Sequence, residues 1–326
     1  MIGALPSVLD VDAVAALLPK IDVLATLRDM FRELADGTAA QPAQSLTLFP
    51  NASGDFIAYL GVLGRRGVFG VKLSPYIVTG GKPIITAWTQ LMSMASGQPL
   101  LLCNADQLTV ERTGGATALA VDHLARPDAR RLAIIGRGAV AAAHWKHVRE
   151  LRKWEMVEVW APSLSSRANP DGAWWTNDSR ISVARDCESA CRSADVVLLC
   201  TSSAAPVIDP SWLRRDALVT SISTNAFQAH EVPPSLLRIA EVYCDYRMTT
   251  PHAAGEMALA ARDFHFTPAA VRGDLPELVA GRCPAPSGDA PVFFRSIGLG
   301  LEDIAMAEAL LRVARPDQSF EDEHGH

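Results

Sequence analysis

The stretch "RRLAIIGRGAVAAAH" carries a glycine pattern suited to binding a dinucleotide. Gly136, Gly138 and Ala141 follow an apolar strand and open a predicted helix, in the order G-x-G-x-x-A. The first glycine permits a tight turn, the second lets a pyrophosphate approach the backbone, and the small third residue lets helix and strand pack closely. Amide groups at the start of the helix then bind the anion. The pattern predicts a dinucleotide site, with a purely structural turn as the alternative.

The following strand, "VEVW", lacks the acid that would bind a free ribose 2′-hydroxyl. It continues into Ala161, Pro162 and Ser163, with Arg167 shortly afterwards. A carboxylate would repel a 2′-phosphate, whereas hydroxyl groups and an arginine suit one. This favours NADP(H) over NAD(H), which stays possible. The alternative is that Arg167 is a solvated loop residue.

Two cations in the first half of the chain are candidates for binding a carboxylate. Lys72 lies in "GVFGVKLSPY", where a buried ammonium would need a counter-charge or a substrate carboxylate. The alternative is an edge strand with Lys72 facing water. Arg112 and Thr113 precede two glycines and are predicted to start a helix, where backbone amides favour anions. A salt bridge is the alternative role for Arg112.

A third candidate group follows the strand "ALVTSIS", at the carboxyl end of the predicted sheet. Ser223 and Asn225 lie there, and open α/β sheets bind ligands at that edge. His230 and Glu231 form either an acid/base pair or a cap of the next element. Asp245 and Arg247 are predicted to form an ion pair with each other, with a catalytic role as the alternative.

Elements of two kinds position these residues. Two helices are predicted before residue 37, with a break at Pro19, and short strands of an antiparallel sheet are predicted from 45 to 103. Strands and helices then alternate, which indicates a parallel sheet covered on both faces. An amphipathic helix, "GLGLEDIAMAEALLRVA", ends the pattern.

The composition excludes some classes of function. The chain has 326 residues, 49% of them hydrophobic, and a net charge of −6 without a basic stripe, so neither nucleic acid nor membrane is an expected partner. The N-terminus lacks the pattern of an export signal, and the six scattered cysteines are expected to be thiols. We predict a cytoplasmic protein without a metal site.

With these segments identified, the chain resembles the ornithine cyclodeaminase/μ-crystallin family. The resemblance rests on the order and spacing of "GVKLS", "SGQPLLLCNADQLTVERTGGATALAVDHLA", "AIIGRGAVA", "ADVVLLCTSS", "STNAFQAHEV" and "VFFRSIGLGLEDIAMA". It implies an α/β fold in which a Rossmann doubly wound parallel sheet at 129–297 accompanies a mixed α/β substrate and dimerisation domain at 1–128 with 298–326. It also implies a homodimer with a site in the cleft between the domains.

The resemblance also implies roles for particular residues. Lys72 and Arg112 match positions that hold the substrate carboxylate. Asn225, at the position where the cyclodeaminases of the family anchor the substrate amine, would orient the reacting nitrogen or the nicotinamide. The expected cofactor-binding residues are Arg112, Thr113, Gly136, Gly138, Ala139, Val140, Ser163, Arg167, Thr201, Ser202, Ser223 and Ser296.

Two departures from the family pattern bear on the reaction. The cyclodeaminases of the family carry an aspartate where this chain has Asn225, and an amide cannot act as a base at neutral pH. An arginine common in the early strand appears here as Gln44. We therefore expect an NAD(P)-dependent reductase of a ketimine or imino acid, or an amino-acid dehydrogenase, with an imino or amino acid as substrate. Lys72, His230 and an ordered water are the candidate proton donors. The alternatives are ornithine cyclodeaminase and a non-catalytic NADP(H)-binding protein.

Overall fold

The chain folds into two compact units. The computed structural model describes residues 6–164, 173–223 and 228–316. The first unit comprises Met1–Arg112 with Leu299–His326, and the second comprises Thr113–Gly298, so the division falls within a helix. The domain boundaries placed at 128 and 297 from the sequence stay predictions.

The described residues form short strands and helices in the alternation expected of an α/β protein. The strands are β1 (Ser7–Leu9), β2 (Ala39–Ala40), β3 (Ser45–Leu48), β4 (Gly54–Leu63), β5 (Val68–Ile77), β6 (Ile84–Ile85), β7 (Trp88–Ser93), β8 (Pro99–Asn104), β9 (Arg131–Ile135), β10 (Met156–Trp160), β11 (Ile181–Val183), β12 (Val196–Leu199), β13 (Leu218–Ser221), β14 (Glu241–Cys244), β15 (Val271–Asp274) and β16 (Val292–Arg295). The α-helices are α1 (Val11–Leu17), α2 (Val23–Ala35), α3 (Asp106–Leu124), α4 (Ala139–Val148), α5 (Cys187–Ser193), α6 (Thr250–Ala253), α7 (Gly255–Phe264), α8 (Leu275–Val279) and α9 (Gly300–Ala314). None of the helices described is long and apolar enough to cross a membrane.

The two N-terminal helices form as predicted. The side chains of Asp10 and Asp22 accept hydrogen bonds from backbone amides in the first turns of α1 and α2, which satisfies donors that the helices themselves leave open. Pro19 lies in a 3₁₀ turn between the helices, and Gly37 follows α2 with a φ of +72°. A glycine adopts this left-handed conformation without strain, so it ends the helix.

The sheet of the first unit is mixed. Its strands run in the order β1-β8-β7-β5-β4-β2, with β3 paired to β4 and β6 to β5. Every pair is antiparallel except β1 with β8, which confirms the antiparallel strands predicted between 45 and 103. Lys72 lies on β5 between β4 and β7, so the prediction of an edge strand is wrong and the prediction of a buried strand is confirmed.

Helix α9 packs closely on this sheet. A Cβ added to Gly61 would lie 2.8 Å from the Cα of Leu301, so the bare backbone of β4 lets the helix approach. The helix is buried nearly all round, and its acids Glu302, Asp303 and Glu308 are buried with it. The amphipathic pattern predicted one buried face only, and the correction matters because buried carboxylates need partners.

The second unit is built on a parallel sheet. Its strands run in the order β11-β10-β9-β12-β13-β16-β14-β15, and all the pairs are parallel. The chain leaves β9 for β10 on one side and later returns to β12 on the other, which makes the ends of β9 and β12 a topological switch point. The predicted fold class, a Rossmann sheet plus a second mixed unit, is confirmed.

One predicted boundary is wrong. Helix α3 begins at Asp106, so Arg112 and Thr113 lie inside it and not at its start. The side-chain oxygen of Asn104 accepts a hydrogen bond from the amide of Asp106 at 3.1 Å, which starts the helix directly after β8. The amides of Arg112 and Thr113 are therefore within the helical hydrogen-bond pattern, and the argument for anion binding by a helix start does not apply to them.

Candidate active site

The glycine turn after β9 has the geometry that the sequence pattern predicts. Gly136 has a φ of +129°, and an added Cβ would lie 2.4 Å from the carbonyl oxygen of Cys200. Gly138 is the N-cap of α4, in extended conformation, and an added Cβ there would meet no atom within 4 Å. Ala141 is fully buried one turn into the helix. The first glycine thus serves the protein's own fold, while the second leaves space in front of the backbone.

Most of the predicted cofactor-binding residues meet around one cavity. This cavity, of about 470 Å³, lies at the carboxyl ends of β9, β12 and β13. The predicted residues that line it are Gly136, Gly138, Ala139, Val140, Thr201, Ser202 and Ser223. Ser163 lies beside it, where its hydroxyl accepts a hydrogen bond from Nε of Arg137 at 2.6 Å.

Glu231 ties together the strand ends that form this cavity. Its buried carboxylate accepts hydrogen bonds from the amide and hydroxyl of Thr201, at 2.8 and 2.7 Å. It also accepts from the hydroxyl of Ser221 and from the amides of Ile222 and Ser223, at 2.8 to 3.1 Å. The sequence suggested an acid/base pair with His230 or a helix cap; the structure instead gives Glu231 the role of holding the β12 and β13 loops.

Ser296 has a different environment from the other predicted residues. It follows β16, and its hydroxyl donates to the carboxylate of Asp245 at 3.0 Å. The same carboxylate accepts from the amides of Ile297 and Gly298. Arg247 pairs with Glu277 at 2.7 Å, so the predicted ion pair between Asp245 and Arg247 is wrong. The structure does not bring Ser296 to the lining of the glycine-turn cavity.

In the first unit, Lys72 and Arg112 form a buried group of four charges with Glu302 and Asp303. Nζ of Lys72 lies 2.8 Å from the Asp303 carboxylate, and Nε of Arg112 lies 3.1 Å from its other oxygen. Nη1 of Arg112 lies 3.0 Å from the carboxylate of Glu302. Two cations and two anions therefore balance in the interior, as buried charges require.

Other side chains complete the surroundings of the Lys72 ammonium. Nζ donates to the hydroxyl of Thr109 at 3.4 Å and lies 4.2 Å from the centre of the Tyr59 ring, a cation–π distance. Tyr59, Lys72, Thr89 and Cys103 are opposite one another across four strands, which places them on one face of the sheet. Cross-strand register thus fixes the position of Lys72.

The pKa values of the two cations shift in opposite directions, although burial acts to lower both. It lowers the pKa of Lys72 to about 8, because desolvation of the ammonium outweighs the attraction of Asp303. For Arg112, burial also acts to lower the pKa, but Asp303 and Glu302 outweigh it and raise the pKa above its ordinary value. Arg112 stays charged at any physiological pH, whereas Lys72 can lose its proton just above neutrality.

Three more of the site residues expected from the sequence are Asn225, Arg167 and Thr113. Asn225 and Arg167 lie outside the described residues. Thr113 follows Arg112 within α3 and is half-buried. Among the described residues, no group of three or more His, Cys, Asp or Glu side chains is arranged to hold a metal ion.

Reasoning from the sequence did not identify three charged residues of the candidate site. Glu302 and Asp303 lie in the first turn of α9, 190 and 191 residues from Arg112 in the chain. The available indication was that a buried Lys72 demands a counter-charge. The glycine pattern leaves the residue between the two glycines variable, so it does not predict a role for Arg137.

A doubly wound parallel sheet with this glycine turn, accompanied by a mixed unit that buries a lysine and an arginine against two acids, defines a dinucleotide-binding α/β protein. The profile of the ornithine cyclodeaminase/mu-crystallin family matches residues 6–315. The chain belongs to that family, which confirms the resemblance inferred from its motifs.

Individual relatives agree with this assignment. The chain is 53% identical over 313 residues to the NAD(P)H-dependent anabolic L-arginine dehydrogenase DauB of Pseudomonas aeruginosa, covering 96% of this chain and 99% of that protein. It is similar in structure to a probable ornithine cyclodeaminase from Bordetella pertussis, with a TM-score of 0.84, 26% identity, and coverage of 96% and 98%. An archaeal alanine dehydrogenase dimer with bound NAD shares the fold, with a TM-score of 0.85, 23% identity, and coverage of 95% and 96%.

Proposed function

We propose that the protein is an L-arginine dehydrogenase that works in the direction of amino-acid synthesis. The observation that carries the proposal is the 53% identity to the P. aeruginosa arginine dehydrogenase over nearly the full length of both chains. The protein is an NAD(P)H-dependent oxidoreductase that acts on CH–NH bonds, as the sequence predicted.

The proposed reaction balances as a reductive amination. Ammonia condenses with the 2-keto acid that carries the arginine side chain, and water leaves to give the imine. A nicotinamide cofactor held at the glycine turn would supply the hydride for the imine carbon, and one proton added to the nitrogen completes the amino acid. A protonated imine is the better hydride acceptor, so the protein gains by holding the substrate with a proton donor nearby.

The glycine turn fits a dinucleotide. Space opens in front of Gly138, where a side chain would begin, and the first residues of α4, Ala139 and Val140, line the same cavity. Their amides would hold the pyrophosphate, and the loops fixed by Glu231 would supply the hydroxyls of Thr201, Ser202 and Ser223.

Lys72 and Arg112 are the residues that we propose for the substrate carboxylate. Asp303 and Glu302 fix both cations in place, and each cation has more donor hydrogens than these acids use: three on the ammonium and five on the guanidinium. Asn225 would orient the nitrogen, as the family resemblance implies. The proton donor stays open between Lys72, His230 and water.

The test compares two keto acids and a cyclic imine as substrates under one set of conditions. The purified protein is mixed with ammonia, NADPH or NADH, and the keto acid of arginine, pyruvate, or pyrroline-2-carboxylate, and oxidation of the nicotinamide is followed by its absorbance. We expect kcat/KM for the keto acid of arginine to exceed that for pyruvate or pyrroline-2-carboxylate by at least about tenfold, because a side-chain-specific site discriminates by more than about 1.4 kcal/mol.

Two results would contradict the proposal. Preference for pyruvate or the cyclic imine would move the protein to another dehydrogenase of the family. Conversion of ornithine to proline without net consumption of NAD(P)H would make it a cyclodeaminase, the alternative that the B. pertussis structure represents.

We also propose a homodimer formed through the outward face of the first unit's sheet. Leu60, Val71, Gln90 and Leu102 are opposite one another across β4, β5, β7 and β8 and point away from α9. Leu60, Phe69, Leu73 and Leu102 on this face are exposed in the single chain. Exposed apolar patches of this kind mark interaction surfaces. The predicted cytoplasmic location stays a proposal, supported by six free thiols.

A further inference from the structure

Arg137 occupies an unusual place in the glycine turn. It lies between Gly136 and Gly138, its side chain is exposed, and it lines the cavity at the ends of β9, β12 and β13. Its Nε donates to Oγ of Ser163 at 2.6 Å. Ser163 is the third residue after β10, the strand whose end carries the ribose-binding acid in NAD-dependent Rossmann proteins.

The backbone of Arg137 is also held in place by a hydrogen bond. The carbonyl oxygen of Arg137 accepts a hydrogen bond from Nε1 of Trp174 at 3.2 Å. Trp174 in turn packs edge-on against buried Trp175, with the ring centres 5.6 Å apart. An arginine with a fixed backbone and a fixed Nε loses less freedom when its remaining donors engage a ligand.

The charge at this end of the cavity is positive. Arg137 is the only charged residue among the described residues that line the cavity, and the lining contains no carboxylate. Its described hydrogen-bond partner at the guanidinium is a neutral hydroxyl, which accepts from Arg137 and keeps its own hydrogen to donate. No carboxylate of the lining pairs with either Nη group of Arg137. These two groups are therefore suited to binding an anionic ligand.

We propose that Arg137 and Ser163 form the subsite for the 2′-phosphate of NADP(H) and make the protein prefer this cofactor over NAD(H). The inference rests on the proposed function only in requiring a nicotinamide dinucleotide at the glycine turn. The Nη groups of Arg137 bind two phosphate oxygens, and the Ser163 hydroxyl donates to one of them. Arg137 determines cofactor choice without contacting the reacting carbon.

The experiment measures binding of two fragments that differ only by the phosphate. Dissociation constants of adenosine 2′,5′-bisphosphate and adenosine 5′-monophosphate are determined by titration calorimetry on the full chain. For the unchanged protein we expect the bisphosphate to bind about 10- to 100-fold more tightly, the range for a charge-assisted bidentate contact. Arg137→Ala should reduce this ratio to within about threefold, leaving the affinity for the monophosphate unchanged.

Further variants refine the result. Arg137→Lys should retain part of the preference, because lysine keeps the charge and loses the paired geometry. Ser163→Ala should lower the ratio by less than Arg137→Ala. Arg262→Ala removes another exposed arginine of the same unit, remote in sequence from the turn, and should change neither constant.

The outcomes separate this inference from the proposed function. Equal weakening of both fragments by Arg137→Ala would assign the arginine to the pyrophosphate or the fold and overturn the proposal, as would an unchanged ratio. If the unchanged protein binds both fragments equally but reduces the arginine keto acid with NADH, the subsite fails and the function stands. If neither fragment nor NADH binds, the proposed function fails as well.

Discussion

Lys72 shows how one buried charge can be both structural and chemically useful. The residue is 1% exposed, its ammonium is held between Asp303 and the Tyr59 ring, and its pKa is lowered to about 8. A general acid works best when its pKa is near the working pH, so the burial that costs stability would also suit Lys72 to the proton transfer for which we propose it as one candidate.

The shifted pKa predicts how stability depends on pH. In the unfolded chain Lys72 binds its proton up to about pH 10.5, whereas in the folded protein it releases the proton above about pH 8. Between these values the unfolded state binds more protons, so Lys72 adds to stability as the pH rises. Relative to Lys72→Met, the unchanged protein should therefore gain up to about 3 kcal/mol in unfolding free energy between pH 8 and 10.5.

Denaturant unfolding of both proteins across this range measures the effect, because groups remote from Lys72 contribute equally to the two. Lys82→Met, which alters an exposed lysine of the same unit, should show a constant difference from the unchanged protein. A difference between unchanged protein and Lys72→Met that stays flat from pH 7 to 10 would contradict the lowered pKa.

At the scale of elements, the glycine turn separates a requirement of the fold from a requirement of the ligand. Gly136→Ala places a Cβ 2.4 Å from the Cys200 carbonyl oxygen at a φ of +129°, so it should destabilise the protein by about 2 kcal/mol or more. Gly138→Ala, at a φ of −76° and with nothing within 4 Å, should cost less than about 1 kcal/mol. It should nevertheless weaken NADH and NADPH alike by tenfold or more.

Thermal unfolding and calorimetric titration of the two variants measure these effects separately. Undiminished dinucleotide affinity in Gly138→Ala would show that the space in front of the turn is not used by the pyrophosphate.

The same contrast explains what the sequence could and could not predict. The turn, the strands after it and the ends of α1 and α2 follow from neighbouring residues, and the structure agrees with them. The counter-charges of Lys72 and the role of Glu231 depend on residues brought together only by folding, from far along the chain or from two strand ends. The predicted start of α3 is wrong because the side chain of Asn104, which caps the helix at Asp106, belongs to a residue that also fits the end of the preceding strand.

At the scale of the whole molecule, the composition predicted a core but not which apolar residues stay outside it. The outward rows of the first unit's sheet pair Ala58 with Leu73 and Trp88, and Val62 with Phe69 and Met92. Rows of this kind expose side chains that elsewhere in the chain would be internal. In the two-fold dimer that we propose, a second copy of the same face would cover them, since such an interface is self-complementary.

Leu73→Glu tests that arrangement. Leu73 is 41% exposed in the single chain, and the substitution introduces one charge from each copy into the proposed interface, where neither finds a partner. The unchanged protein should behave in light scattering as two copies of the 35.0 kDa chain, about 70 kDa, and the variant should shift towards one copy. Ile239→Glu, at an apolar residue 55% exposed in the second unit, is the matched control and should leave the mass unchanged. A dimer that withstands Leu73→Glu but dissociates with Ile239→Glu would place the interface on the second unit, and a monomeric unchanged protein would leave the apolar rows to another partner.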